Sequence, residues 1–197
     1  EHKLGNIAGR LNKNVQNITS FISKLMELDI IYKDVPITEI NPQKSKKGLY
    51  FIKDNFFRFW FSYCLPYKSQ LEMDNTKFVL TKIQESFTNH ISKTYEDICI
   101  EYTLKNEELL KCGRWWNKNE EIDMVGVGED FLIVGECKYT NKKVGIDILN
   151  SLKEKSKQIE LKLPIKKFML FSKSGFTDEL IKISLEDRSI KLVENIL

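Results

Sequence analysis

The stretch Gly113–Tyr139, GRWWNKNEEIDMVGVGEDFLIVGECKY, constrains what the rest of this chain can fold into. It reads as three short strands joined by tight turns: residues 111–115 open a sheet, Glu121–Val127 follow, and Phe131–Lys138 close the set. Gly126 and Gly128 permit the tight turn before Phe131. Side chains alternate along a strand. Glu121 and Asp123 therefore share one face with Ile122 and Met124 on the other, and Glu136 and Lys138 share a face with Cys137 opposed. If the two strands are neighbours, Asp123, Glu136 and Lys138 converge. Glu136 and Lys138 end an apolar run, FLIVG, where charge is costly unless it is used or exposed.

Carboxylate oxygens suit Mg2+ or Mn2+, hard ions that keep some waters and accept phosphate oxygens. A lysine beside such an ion could orient or help deprotonate water and offset charge developing on a phosphate. Asp123 and Glu136 are the candidate metal ligands, and Cys137 would add its backbone carbonyl while its thiol points into the core. The plainer alternative is an ordinary sheet edge whose E-x-K end forms a salt bridge.

Helices and one further strand surround these strands. A helix is expected from Thr76 to about Phe87 and another over roughly His90–Leu104, with Glu96, Asp97 and Glu101 as its acidic positions. Residues 147–161 read as a helix with Ile148, Leu149 and Leu152 facing the core and Lys153, Lys155 and Lys157 facing solvent or substrate. Lys167–Ser172 is a strand, while 180–185 and 190–193 stay ambiguous between helix and strand. Helix, three strands, crossover helix, strand is the order of a mixed α/β sheet with helices on both faces.

The front of the chain has a different character. Leu4, Ile7, Ala8 and Leu11 mark a short helix; a polar turn follows, then a helix with Val15, Ile18, Phe21, Ile22, Leu25 and Met26 inward and Asn14 as its N-cap. Two helices joined by a three-residue turn form a helix-turn-helix signal whose second helix would expose Asn17, Thr19, Ser20 and Lys24. Strands at 30–33 and 49–52 flank a loop carrying Lys44, Lys46 and Lys47, which completes a winged helix whose wing could reach phosphates. Residues 1–70 hold 11 Lys and Arg against 6 Asp and Glu, whereas the remainder holds 20 against 22. The basic excess thus sits where a DNA contact surface would need it. The aromatic run Phe56–Tyr63 reads as a domain-packing hinge, and Lys68–Asn75 as a linker. The expected division is a winged-helix domain with its aromatic connector over 1–70 and a nuclease-like domain over 71–197.

Other classes are set aside by composition and motif. No run of about 18 apolar residues is available to span a membrane, and no signal peptide is visible, which points to the cytoplasm. Cys64, Cys99, Cys112 and Cys137 lack paired zinc spacing and read as reduced, mostly buried thiols. The chain begins without Met, as a cut or processed end would.

Asp123, followed thirteen residues later by Glu136-Cys137-Lys138, resembles the PD-(D/E)-x-K nuclease superfamily, notably its Holliday-junction-resolvase-like branch. More closely, the chain resembles the DUF234 domain of archaeal and bacterial AAA-like ATPases. The resemblance is carried by Gly113-x-Trp115-Trp116, Glu121-Ile122-Asp123, Gly135-Glu136-Cys137-Lys138 and Val144-Gly145, and in the front by Val35-Pro36-x-Thr38-Glu39, Lys47-Gly48-x-Tyr50 and Phe59-Trp60-Phe61. It implies a restriction-endonuclease-like sheet, Asp123 and Glu136 as metal ligands, Lys138 as the catalytic lysine and Glu96 as a helical acid holding a metal-bound water. Ile122 stands where the superfamily usually has proline before its first acid. The P-loop ATPase module that such relatives carry has no G-x-x-x-x-G-K-[ST] counterpart here, so this chain would be the C-terminal piece of a longer protein or the product of a truncated gene. Three readings follow. One is a Mg2+-dependent DNA endonuclease, for which a homodimer would suit two-strand cutting. The others are a non-catalytic DNA-binding tail of the ATPase and a module that docks a protein partner.

Overall fold

The computed structural model describes residues 2–196. The chain forms two compact units: residues up to Val35 with Glu39–Phe87, and Pro36–Thr38 with the chain from Thr88 onward. The expected boundary at 70/71 is replaced by one inside a helix, at Phe87/Thr88.

In the front unit, α1 (Leu4–Arg10) and α2 (Val15–Glu27) precede two strands, β1 (Ile31–Asp34) and β2 (Leu49–Ile52), which pair antiparallel from Ile31↔Ile52 to Asp34↔Leu49. The loop between them is closed from inside: Lys33 Nζ donates to the carbonyls of Pro42, Gln43 and Ser45 at 3.3, 3.2 and 2.8 Å. Asn14 takes the N-cap position, but its side chain makes no capping bond. The inward face expected for α2 is only partly realised. Ile18 is buried, whereas Phe21 remains 68% exposed and Val15 and Met26 are also exposed. With just seven residues, α1 is too short to cover that whole stripe. Then come α3 (Asn55–Phe59), capped by the Asp54 carboxylate accepting from the Phe57 N–H at 3.0 Å, a π-helical turn over Trp60–Cys64, and α4 (Lys68–Glu72), a helical turn in place of the expected linker.

The two helices expected over 76–104 are one helix, α5 (Thr76–Asn106). Thr88 and Asn89 are mediocre helix formers, but neither breaks a helix as Gly or Pro does.

The second unit is built on a five-stranded sheet in the order β3 (Lys111–Trp116), β4 (Glu121–Val127), β5 (Leu132–Lys138), β6 (Ile165–Ser172) and β7 (Ile190–Glu194). The first three run antiparallel to one another, and β6 and β7 continue parallel to β5. The crossover between β5 and β6 carries α6 (Ile146–Ser156), and α7 (Asp178–Glu186) precedes β7. Helix α6 stops short of the expected 161 because Ile159, Leu161 and Leu163 leave it to pack against the core. Thr177 caps α7, accepting from the Leu180 N–H at 3.4 Å, and Asp178 and Glu179 in its first turn complement the helix dipole; these signals make 178–186 helical.

Period-two alternation sorts the sheet into two cores. Leu132, Val134 and Leu170 join Leu149 and Leu152 of α6 and Leu180 of α7. Ile133, Cys137, Met169 and Phe171 join Tyr95 and Cys99 of α5 on the other face. This is an α/β architecture with a mixed sheet covered on both sides. Among the described residues no helix is long and apolar enough to cross a membrane.

Phe171 is fully buried and meets Tyr102 edge-on at 5.9 Å between ring centroids. Phe171→Ala is expected to lower unfolding stability by about 3–5 kcal/mol through reduced burial and the cavity left behind. Urea denaturation checks this, and a drop under about 1 kcal/mol would place the main stabilising core elsewhere.

Candidate functional site

The site begins where main-chain pairing ends. Strands β4 and β5 pair from Val127↔Leu132 to Met124↔Gly135, and the ladder goes no further. Beyond it the Asp123 carboxylate replaces the missing backbone acceptor: the Cys137 N–H donates to Asp123 Oδ2 at 2.8 Å. Gly135 lets β5 lie close to Met124 and to β6, since a β-carbon there would collide with the Met124 side chain and lie 3.0 Å from the Met169 carbonyl oxygen.

Simple alternation does not hold through this region. Gly113 pairs with Val125 and Trp115 with Ile122, so β4 spends three steps where β3 spends two. The extra residue is a β-bulge. Ile122 consequently joins the same core as Val125, and Met124 joins the opposite one, correcting the expectation that Ile122 and Met124 share a face.

Glu136 follows Val134 on the α6 side of β5 and is 7% exposed. Its Oε1 accepts from Lys138 Nζ at 2.6 Å and lies 3.6 Å from Lys155 Nζ. Its Oε2 is buried with no hydrogen-bond partner among the described residues. Burial pulls the Lys138 ammonium down, but the bond and charge of Glu136 outweigh it, and the net shift is upward. Lys138 is therefore a cation at neutral pH, suited to balancing anionic charge.

Glu96 comes from the α5 side. It faces Arg114 of β3, which donates through Nε to Glu96 Oε2 at 2.8 Å and through Nη2 to Asp97 Oδ1 at 2.6 Å. Burial opposes the charge of Arg114, while Asp97 and Glu96 more than restore it. Lys93 Nζ also lies 4.0 Å from Glu96 Oε2. Asp123 feels both sides. Burial first, then the charges of Glu136 and Glu96, raise its carboxyl to about 7.

Asp123 thus feels the other two acids, yet each of the three is held by a different donor. Among the described residues no group of three or more His, Cys, Asp or Glu is arranged to hold a metal ion. Two features fit a cation nonetheless: an unserved, buried carboxylate oxygen on Glu136, and a carboxyl at Asp123 that burial, and then neighbouring negative charge, raises to about 7. The Cys137 thiol lies in the α5-side core, where burial, foremost, drives its pKa far up, so it stays a thiol.

The front unit places Asn17, Ser20 and Lys24 on the exposed side of α2. Lys44, Lys46 and Lys47 are exposed in the loop between β1 and β2, although Lys47 is ion-paired to Glu39 at 2.8 Å. Two residues at the site are not singled out by sequence reasoning. Arg114 lies inside Gly113-x-Trp115 and alternates with buried Trp115, the one signal that it turns to the other face. Lys155 reads with two neighbouring lysines as facing solvent or substrate, although its place three residues after Leu152 continues the inward stripe.

The sequence model of DUF234, described as archaeal and bacterial proteins of unknown function, matches residues 60–162. An uncharacterized protein of Methanocaldococcus jannaschii is 32% identical over 136 residues, which is 66% of this chain and 30% of that protein. The chain therefore spans under a third of that relative's length. No solved structure matches.

The folded Asp123 carboxyl holds its proton up to about 7, whereas an unperturbed one releases it near 3.8. The fold binds the extra proton across that window and loses stability as pH rises through it. Asp123→Asn should therefore show a smaller stability loss than the parent between pH 5 and pH 8, by roughly 1–2 kcal/mol once nearby solvent is allowed for. Urea unfolding at the two pH values measures it, and parallel behaviour of the two proteins would mean that Asp123 is ionised throughout.

Proposed function

Because this chain belongs to the DUF234 family of archaeal and bacterial proteins of unknown function, we propose a more specific role. Its second unit is a restriction-endonuclease-like domain that hydrolyses a phosphodiester with the help of a divalent cation, and its front unit is a winged helix that engages DNA. The observation that carries this reading is Glu136. A carboxylate this buried, with Oε2 unserved and Oε1 against an ammonium, is costly to maintain in a sheet whose only task is packing.

In this reading Asp123 and Glu136 would hold Mg2+ or Mn2+, with the Cys137 carbonyl as a further oxygen donor. A bound ion would lower the pKa of water and offset phosphate charge. The chain's own residues supply the rest. Lys138, a cation on the same strand face as Glu136, would balance charge developing on the phosphate. Glu96, steadied by Arg114, would accept a hydrogen bond from water. Exposed Lys44 and Lys46 would contact phosphates by charge, and Asn17, Ser20 and Lys24 would meet a groove. An ATPase module elsewhere in a longer protein and a second copy of this chain are further proposed partners.

A protein-docking role for the front unit has its own support. Phe56 is 64% exposed, and Phe57, Trp60 and Phe61 are exposed with it. The four rings adjoin, with Phe56–Trp60 and Phe57–Phe61 centroids 6.1 and 6.3 Å apart, and a contiguous exposed apolar patch is the kind that protein partners cover.

Cleavage of branched, single-stranded and duplex DNA with Mg2+ or Mn2+ tests the main reading. Glu136→Ala and Lys138→Ala are expected to lower cleavage by about 10²–10³-fold while urea profiles remain cooperative. Full activity in folded variants would remove the assigned site. Lys44→Gln with Lys46→Gln should weaken DNA binding and flatten its salt dependence by about one unit of slope for each phosphate no longer neutralised; an unchanged slope would exclude the wing from the DNA interface.

A further inference from the structure

Helix α6 buries Leu149 and Leu152 against the sheet. Lys155 is the next residue along that inward stripe, and its ammonium ends 3.6 Å from Glu136 Oε1. The other lysines of this segment are engaged elsewhere. Lys153 Nζ lies 5.5 Å from the Phe168 ring centroid, and Lys157 bonds Glu154 at 2.7 and 2.8 Å.

Glu136 therefore meets two ammonium groups in unequal ways. Lys138 makes a 2.6 Å hydrogen bond from two residues along the same strand. Lys155, from the helix that follows that strand, stands at ion-pair distance, beyond hydrogen-bond length. Both cations lie at Oε1, while Oε2 is buried and unserved. A group held by charge alone leaves more readily than one held by charge and a short hydrogen bond. Its four-carbon stem also lets the head move while the root stays packed.

We propose that Lys155 is a positioning residue that balances the Glu136 carboxylate through Oε1 in place of a divalent cation, and that competes by charge with an ion taken up at that carboxylate. Lys155 thereby sets how tightly the site takes up that ion. The inference rests on the reading of Asp123 and Glu136 as cation ligands.

The test is Mn2+ binding, measured by titration calorimetry on the intact chain, for the parent, Lys155→Met and Lys155→Arg. Methionine keeps much of the apolar stem and removes the charge. Lys155→Met is expected to bind Mn2+ at least about fivefold more tightly, because one competing positive charge a few ångströms away is gone. Lys155→Arg should stay near the parent. A merely structural role would leave affinity unchanged or weaken it, and either result in a variant with a cooperative urea transition would overturn the proposal. If the parent binds Mn2+ and Lys155→Met binds it equally, the role of Lys155 fails while the cation site stands. If neither protein takes up Mn2+, the cation-site reading fails and this proposal falls with it.

Discussion

One hydrogen bond organises the chemistry of this sheet, the 2.8 Å donation from the Cys137 N–H to Asp123 Oδ2. A strand that stops pairing ordinarily leaves its next N–H to water. Here the side chain of the neighbouring strand takes over, and the carboxylate is drawn to the end of the ladder. The bulge in β4, between Ile122 and Val125, is the local irregularity beside it. In that position Asp123 responds to Glu136, on the α6 side, and to Glu96, on the α5 side. A residue committed to either face would sense chiefly its own side.

The second constraint is charge balance. Half-buried acids cannot be gathered without cations, because desolvation penalises each charge more than a distant partner repays. Lys138 and Lys155 serve Glu136, and Arg114 and Lys93 serve Glu96. Asp123 has a backbone donor, and its carboxyl is the one raised to about 7. Burial is the first cause of that rise, and the charges of Glu136 and Glu96 add to it. An incoming cation would meet the least competition from ammonium groups at Asp123 and the most at Glu136.

The sheet is legible in the sequence where alternation is clean. FLIVGECK splits its apolar residues between the two cores as period two requires, and the family resemblance names Asp123, Glu136 and Lys138 from their spacing. The pattern misleads where one residue breaks the count: the bulge sends Ile122 and Met124 to opposite faces, and nothing in EEIDMVGV announces it. Helix boundaries fail for ordinary reasons. Thr88-Asn89 looks like a break and is carried through, and Ile159 and Leu161 extend an apparent helix although they pack from the chain beyond it. Phe21 reads as inward because amphipathic spacing says which residues share a face but not how much partner surface will be present to cover them. Lys155 is hidden because a lysine on an inward stripe looks the same as one snorkelling to solvent until its partner is known.

Helix α5 shows how a structural fastening and a candidate chemical role can coincide. Tyr95, Cys99 and Thr103 recur every four residues and are buried. At the far end Glu107 takes Lys167 of β6 at 2.6 and 2.8 Å and Lys191 of β7 at 3.0 Å. At the near end Glu96 and Asp97 take Arg114 of β3. These ion pairs tie one helix to strands on both sides of the sheet's centre, so its slide and rotation are restrained at two points about three turns apart. Fastening alone could be met by Asp97, which is the more exposed of the pair. Glu96 is the member whose charge reaches Asp123. The Arg114 clamp thus fixes a negative charge that adds to burial and Glu136 in raising the Asp123 carboxyl, and Glu96 shapes the site electrostatically whether or not it touches a ligand.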